Sequence, residues 1–261
     1  METLSPTDTA ATQVADGIKS VEQGTKQTLT LTLQPAPFVR YLALTTVLLL
    51  VLNVLVILRY TYVTTEDSFF SVMFNFDMEN NVSSYFSTSI LLVAALLLGV
   101  IAALKRKQQD PFALRWALLS GIFLCLSLDE SLALHNRVER LLDPLTDFIQ
   151  SSSFLSFSWV IAGAAFVGFF VLAYWRFFFA LAKPMQLRFF LAGGIYVLGA
   201  IGFEMLGAHF FVQEAFNGDN IPYMTVMTIE ETLEMVGVIV FIDTLLAYLH
   251  AYAKHYIIVL R

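Results

Sequence analysis

Charge is scarce in this chain. Only 14% of its 261 residues are Asp, Glu, Lys or Arg, against about a quarter in soluble domains. A surface built from so little charge cannot face water all round, which excludes an ordinary soluble protein. Cysteine is scarcer still: Cys125 stands alone, so no intrachain disulfide can form. No stretch interleaves lysine or arginine with aromatics, and nothing points to nucleic acid. Phosphate-binding loops, dinucleotide fingerprints and nucleophilic serine motifs are missing, which leaves kinase, ATPase and dehydrogenase functions without support. Residues 1–37 are polar and have no hydrophobic run, so they are not a cleavable signal peptide. They read as a disordered cytoplasmic tail ahead of a membrane domain at 38–261.

What the chain has in quantity is apolar length. It is 57% hydrophobic with mean hydropathy +0.71. A helix needs about 20 apolar residues to cross a bilayer, and six runs reach that length: 38–58, 85–104, 112–134, 154–181, 189–211 and 224–249. The third, fifth and sixth carry acids. The expected architecture is an all-α, polytopic transmembrane bundle of six spans. With the N-terminus inside, twelve of the 15 basic residues fall on the inner side. The outer side keeps Arg59, Arg137 and Arg140. The positive-inside rule therefore predicts both termini in the cytoplasm. Glycines at 163, 168, 194, 199, 202 and 207 would allow close helix packing in spans four and five.

The acids are distributed the other way, and their depth is unusual. At about 1.5 Å per residue, Glu130 lies about 22 Å above Arg115, and Glu204 about 24 Å above Arg188. Glu234 lies about 30 Å above Lys254. Three spans thus place carboxylates and imidazoles in one band near the outer boundary of a hydrocarbon layer about 30 Å thick. An isolated ionisable group at such depth costs at least about 2–3 kcal/mol, so the group must face the bundle interior, share protons, bind a cation or line water. Glu230 and Glu234 are four residues apart, on one helical face. Glu204 and His209 are five apart, a looser relation. Asp77 and Glu79, in the loop before span two, would hang over this layer. Ser83 or Ser84 would cap the following helix, and the aromatic stretch 69–76 would lie in the interface. Asn81-Val82-Ser83 matches a glycosylation sequon, but too close to the membrane to be used.

The stretch Phe76-Asp-Met-Glu-Asn-Asn-Val-Ser-Ser-Tyr-Phe-Ser87, with Leu128-Asp-Glu-Ser-Leu-Ala-Leu-His135, Gly202-Phe-Glu204 and Ile229-Glu-Glu-Thr-Leu-Glu-Met-Val-Gly237, resembles an uncharacterised family of bacterial six-span integral membrane proteins. The resemblance runs from about residue 77 to 249. It implies the six-span fold, a common polar cluster and a bacterial cytoplasmic membrane. It implies no activity. In that family an acid often follows the span-three histidine; here the position is Asn136.

Clustered Glu, Asp and His on facing helices form the donor set of a metal site in a bundle. On that reading His135, Glu204, His209, Glu230 and Glu234 are candidate ligands for iron, zinc or manganese. Asp129, Glu130 and Glu231 would be the general base or support it, with Asp77 and Glu79 contributing from the loop. The function would be a membrane-embedded enzyme acting on a lipid or small apolar substrate. Two alternatives use the same residues: a proton or cation transporter or channel, and a non-catalytic subunit or sensor held together by its polar layer. Neither an inverted repeat nor a pair of broken helices supports transport. The remaining polar and aromatic residues have plainer readings. Asp243 would pair with Asn53, Cys125 would pack, and Trp116, Trp159 and Trp175 would anchor at the interface. The aromatic segment 174–179 would face lipid, and His250 and His255 would meet solvent or headgroups. Nothing in the sequence sets an oligomeric state.

Overall fold

In a computed structural model the described residues are 35–64, 66–135, 137–138, 153–157, 159–213 and 220–253. Residues 1–34 of the expected 1–37 tail lie outside them, as do Asn136 and His255, while residues 35–37 already belong to the first helix. Among the described residues all regular structure is helical. The helices are α1 (Pro35–Tyr62), α2 (Phe69–Phe74), α3 (Val82–Lys107), α4 (Ala113–Leu132), α5 (Trp159–Ala180), α6 (Lys183–Val197), α7 (Glu204–Gln213) and α8 (Ile221–Ala253). A π-helical turn, Leu198–Phe203, joins α6 to α7, making one long rod of Lys183–Gln213. Five helices are long and apolar enough to cross a membrane: α1, α3, α5, this rod and α8. Helix α4 covers the remaining predicted span.

Helices α1, α3 and α8 and the rod overrun their predicted apolar runs by a few residues at each end, whereas α4 and α5 fall inside the predicted 112–134 and 154–181. The start of α3 shows the local chemistry. Asn81, not Ser83 or Ser84, is the cap: its side chain accepts from the Ser84 backbone N–H, and the Ser84 hydroxyl accepts from the Asn81 N–H at 2.9 Å. The serine thus takes the place usually held by Glu in a capping box. Asn81 is buried, so the sequon cannot be reached.

Helix α8 runs through the middle of the bundle, with Met235, Ile242 and Leu245 fully buried. Helices α3 and α4 pack face to face, locked by Ser120 Oγ donating to the Ala95 carbonyl at 2.7 Å and Ser127 Oγ to that of Thr88 at 2.9 Å. Such side-chain bonds satisfy hydroxyls where water is absent. The outward faces remain apolar: Leu44, Val47, Leu55, Leu96, Phe169 and Leu172 are all exposed. A surface of that kind belongs against lipid.

One end of the bundle is basic. There Trp116 is 2% exposed, edge-on to Phe177 at 5.0 Å and stacked on Tyr248 at 5.5 Å. It is a core residue rather than the expected interfacial anchor. Asp243 pairs with Arg188 at 3.3 Å and does not bond Asn53. Instead Asn53 donates to Thr228 Oγ1 at 2.8 Å and accepts from the Phe76 N–H at 2.9 Å. Span one therefore holds both α8 and the loop after α2. Cys125 is exposed on α4, not packed.

Candidate functional site

At the opposite end the acids converge. A cavity of about 660 Å³ lies between α4, α5, α6, α7 and α8, roofed by the loop after α2. Its wall includes Asp77 and Glu79 from the roof, Asp129, Glu130 and His135 from the end of α4, Glu204 from α7, and Glu230, Glu231 and Glu234 from α8. His209 does not line it. Its ring stacks on Phe154, centroids 4.2 Å apart and nearly parallel. Five residues along a helix turn the side chain about 140° from Glu204, which carries His209 out of the layer.

The roof is pinned to the walls. Tyr223 donates from its hydroxyl to Asp77 Oδ1 at 2.7 Å. Glu79 Oε1 lies 3.6 Å from His135 Nε2. His135 also sits against Asp129, with its backbone N–H donating to Oδ1 at 2.7 Å and its Nδ1 3.2 Å from Oδ2. The helix breaks at Ala133, whose φ of 47° is left-handed. That turn swings His135 back over Asp129.

Beyond the helix end, burial lowers the imidazole's proton affinity. The Asp129 hydrogen bond and charge, with the charges of Glu79 and Glu204, outweigh burial and hold His135 up to about 9. Burial likewise raises the Glu79 carboxyl, with Asp129 adding to it and His135 opposing. His135 is therefore an imidazolium at neutral pH. Its folded value exceeds the unfolded one of about 6.5. Its contribution to stability is fully present below about 6.5 and is lost as pH rises through about 9. The thermal midpoint of the purified protein should fall across that window, and Asp129→Asn should flatten the fall. A midpoint equally flat in both proteins would remove the Asp129–His135 pairing.

Deeper in the layer, Trp159 Nε1 donates to Glu204 Oε1 at 2.8 Å. The Glu204 and Glu230 carboxyls neighbour one another, and the Tyr196 hydroxyl neighbours Glu234. Glu230 Oε2 is buried without a hydrogen-bond partner. Glu204 is the first residue after the π turn. Within that turn Gly199 brings the rod against α8: a Cβ there would lie 2.9 Å from the Glu230 carbonyl oxygen and 3.1 Å from Glu234 Cγ. Single π turns inside α-helices are frequent at functional sites.

Below the acids the wall turns aromatic, with Phe123, Phe170, Phe177, Phe189 and Phe241. Tyr174, Phe177 and Phe178 line this lower part, so the aromatic segment expected to face lipid is partly internal. Sideways the cavity is open. Phe166 and Val171 of α5 and Phe190 of α6 belong to its wall and remain exposed. Between them stand Gly193 and Gly194, where an added Cβ would meet nothing within 4 Å.

No group of three or more His, Cys, Asp and Glu side chains among the described residues is arranged to hold a metal ion. The metal reading thus finds no support in the donor geometry. His209 is turned away from the cavity and stacks on Phe154.

A family model described as a domain of unknown function, DUF8692, matches residues 41–249. The chain belongs to this family. No curated protein and no solved structure matches it. The range that defines this DUF8692 member contains the whole cavity wall. Three polar members of that wall, Trp159, Tyr196 and Tyr223, were not singled out as site residues from the sequence. An aromatic near a span end reads as an anchor until its partner is seen.

Proposed function

We propose that this protein is a membrane-embedded site for a lipid or other amphiphile, which seats its polar end among the acids and its apolar part on the aromatic wall. The observation that carries this reading is the cavity's two-part lining, carboxyl groups above and phenylalanines below, in a volume of about 660 Å³. Ligand pockets span about 300–1,000 Å³. The reaction class that its side chains suit is acid–base catalysis. Two neighbouring carboxyls, Glu204 and Glu230, would serve as an acid and base pair, as such pairs do elsewhere. His135 with Asp129 adds a second proton carrier, with Glu130 and Glu231 beside it. In the cell the protein would sit in a bacterial cytoplasmic membrane with six spans and both termini inside, α4 being the sixth. The segregation of basic residues supports that orientation.

The proton or cation pathway is less well supported, because the polar layer does not continue. Below Glu234 the wall is aromatic, and Asp243 at the basic end is paired with Arg188 outside the cavity. Native mass spectrometry of the protein ejected from lipid nanodiscs tests the binding reading. One amphiphile adduct per chain should persist after surrounding lipids are stripped. Stripped protein without a retained adduct would overturn it.

A further inference from the structure

The cavity's charge is one-sided. Eight carboxyl groups line it, against the single imidazole of His135, and no Lys or Arg among the described residues does. His135 is already engaged by Asp129 and Glu79. What remains uncompensated lies deeper, at Glu230. This residue is only 4% exposed and forms part of the cavity wall. Its Oε2 has no partner, although a buried carboxyl oxygen without a hydrogen bond is costly to maintain. The neighbouring wall offers acceptors and aromatic faces: Glu204, Glu234 and the indole of Trp159. A cation placed there would satisfy Oε2, relieve the repulsion among the acids and lie beside an aromatic ring. An anionic head would meet carboxyl oxygens on every side.

We infer that the amphiphile taken by this cavity carries a positively charged amine, seated against Glu230 and Glu204, with a single long chain extending onto the phenylalanine wall. This rests on the cavity being an amphiphile site and adds the chemistry of the head. An ammonium has only donors, which matches a wall of acceptors. The lower cavity is lined by phenylalanines, and its exposed wall on α5 and α6 would admit a chain from the bilayer.

The test compares three probes of equal chain length, a C14 primary alkylamine, the C14 alcohol and the C14 carboxylic acid, each titrated into the protein in nanodiscs at pH 7. Binding is read by native mass spectrometry and by the shift in thermal midpoint. The amine should bind saturably at one per chain and at least about tenfold more tightly than the alcohol, which corresponds to about 1.4 kcal/mol. The acid should be weakest. Glu230→Gln should lower amine affinity about tenfold and so close most of the gap between amine and alcohol. Should that variant fail to fold, the ranking on the wild-type protein decides alone. If alcohol and amine bind equally, the cationic head is wrong while the amphiphile site stands. If none of the three binds, and no endogenous adduct is retained, both readings fall.

Discussion

Gly237→Ala should lower the thermal midpoint of the purified protein, against the trend of helix propensity. Alanine favours a helix interior over glycine by about 1 kcal/mol, so an exposed site would gain stability. At Gly237 the added Cβ would lie 2.8 Å from the Tyr196 backbone nitrogen, 2.9 Å from its Cβ and 3.0 Å from the Ala192 carbonyl oxygen. Two of these are backbone atoms and cannot rotate aside. Helices α6 and α8 would have to separate, and overpacking of this kind costs about 1–3 kcal/mol. The same separation would pull Tyr196 from Glu234 and displace the layer above. Gly168→Ala is the control: nothing lies within 4 Å of its added Cβ, and its midpoint should hold or rise. Equal midpoints for the two variants would mean that α6 and α8 do not touch at Gly237.

Asn53→Leu should be the most damaging change in span one. Leucine is close in volume but cannot accept from the Phe76 N–H or donate to Thr228 Oγ1. Thr228 keeps its bond to the Met224 carbonyl at 2.7 Å, so the larger loss is at Phe76. An amide left buried and unpaired costs about 1–3 kcal/mol. Phe76 precedes Asp77 and Glu79 in the roof of the cavity, so the loss is also one of position. Hydrogen exchange at residues 76–81 should speed up markedly in the variant while exchange in α3 beyond its first turn stays slow. Unchanged exchange at 76–81 would show that the roof is held by Tyr223 and His135 alone.

The spans were legible in the sequence because hydrocarbon admits little besides long apolar helices. The gathering of acids from several helices into one layer was legible from the rise of a helix alone, counted for example from Arg188 to Glu204. Direction around each helix was not. Glu204 and His209 lie about 7.5 Å apart along one rod, yet one enters the cavity and the other stacks on Phe154. The π turn at Leu198–Phe203 shifts the register just before Glu204. Its glycines suggest close packing but not an extra residue in the turn. Trp116 and the 174–179 segment were misplaced for a related reason. Aromatics near a membrane boundary have the same composition whether they face lipid or a neighbouring helix, and only the partner, such as Tyr248 for Trp116, distinguishes them. Asn53 was paired with Asp243 by depth, whereas its actual partners lie in a loop and on a helix face that hydropathy does not describe.

The central claim is that an amphiphile occupies the cavity and that its chain enters between α5 and α6. Its most direct test is the retained adduct in native mass spectra of the wild type beside the double variant Gly193→Leu/Gly194→Trp. The added side chains begin where no atom lies within 4 Å, so the fold and thermal midpoint should survive while the opening is filled. The account predicts one retained amphiphile per wild-type chain and little or none in the variant. The same adduct at the same occupancy in both proteins would contradict it.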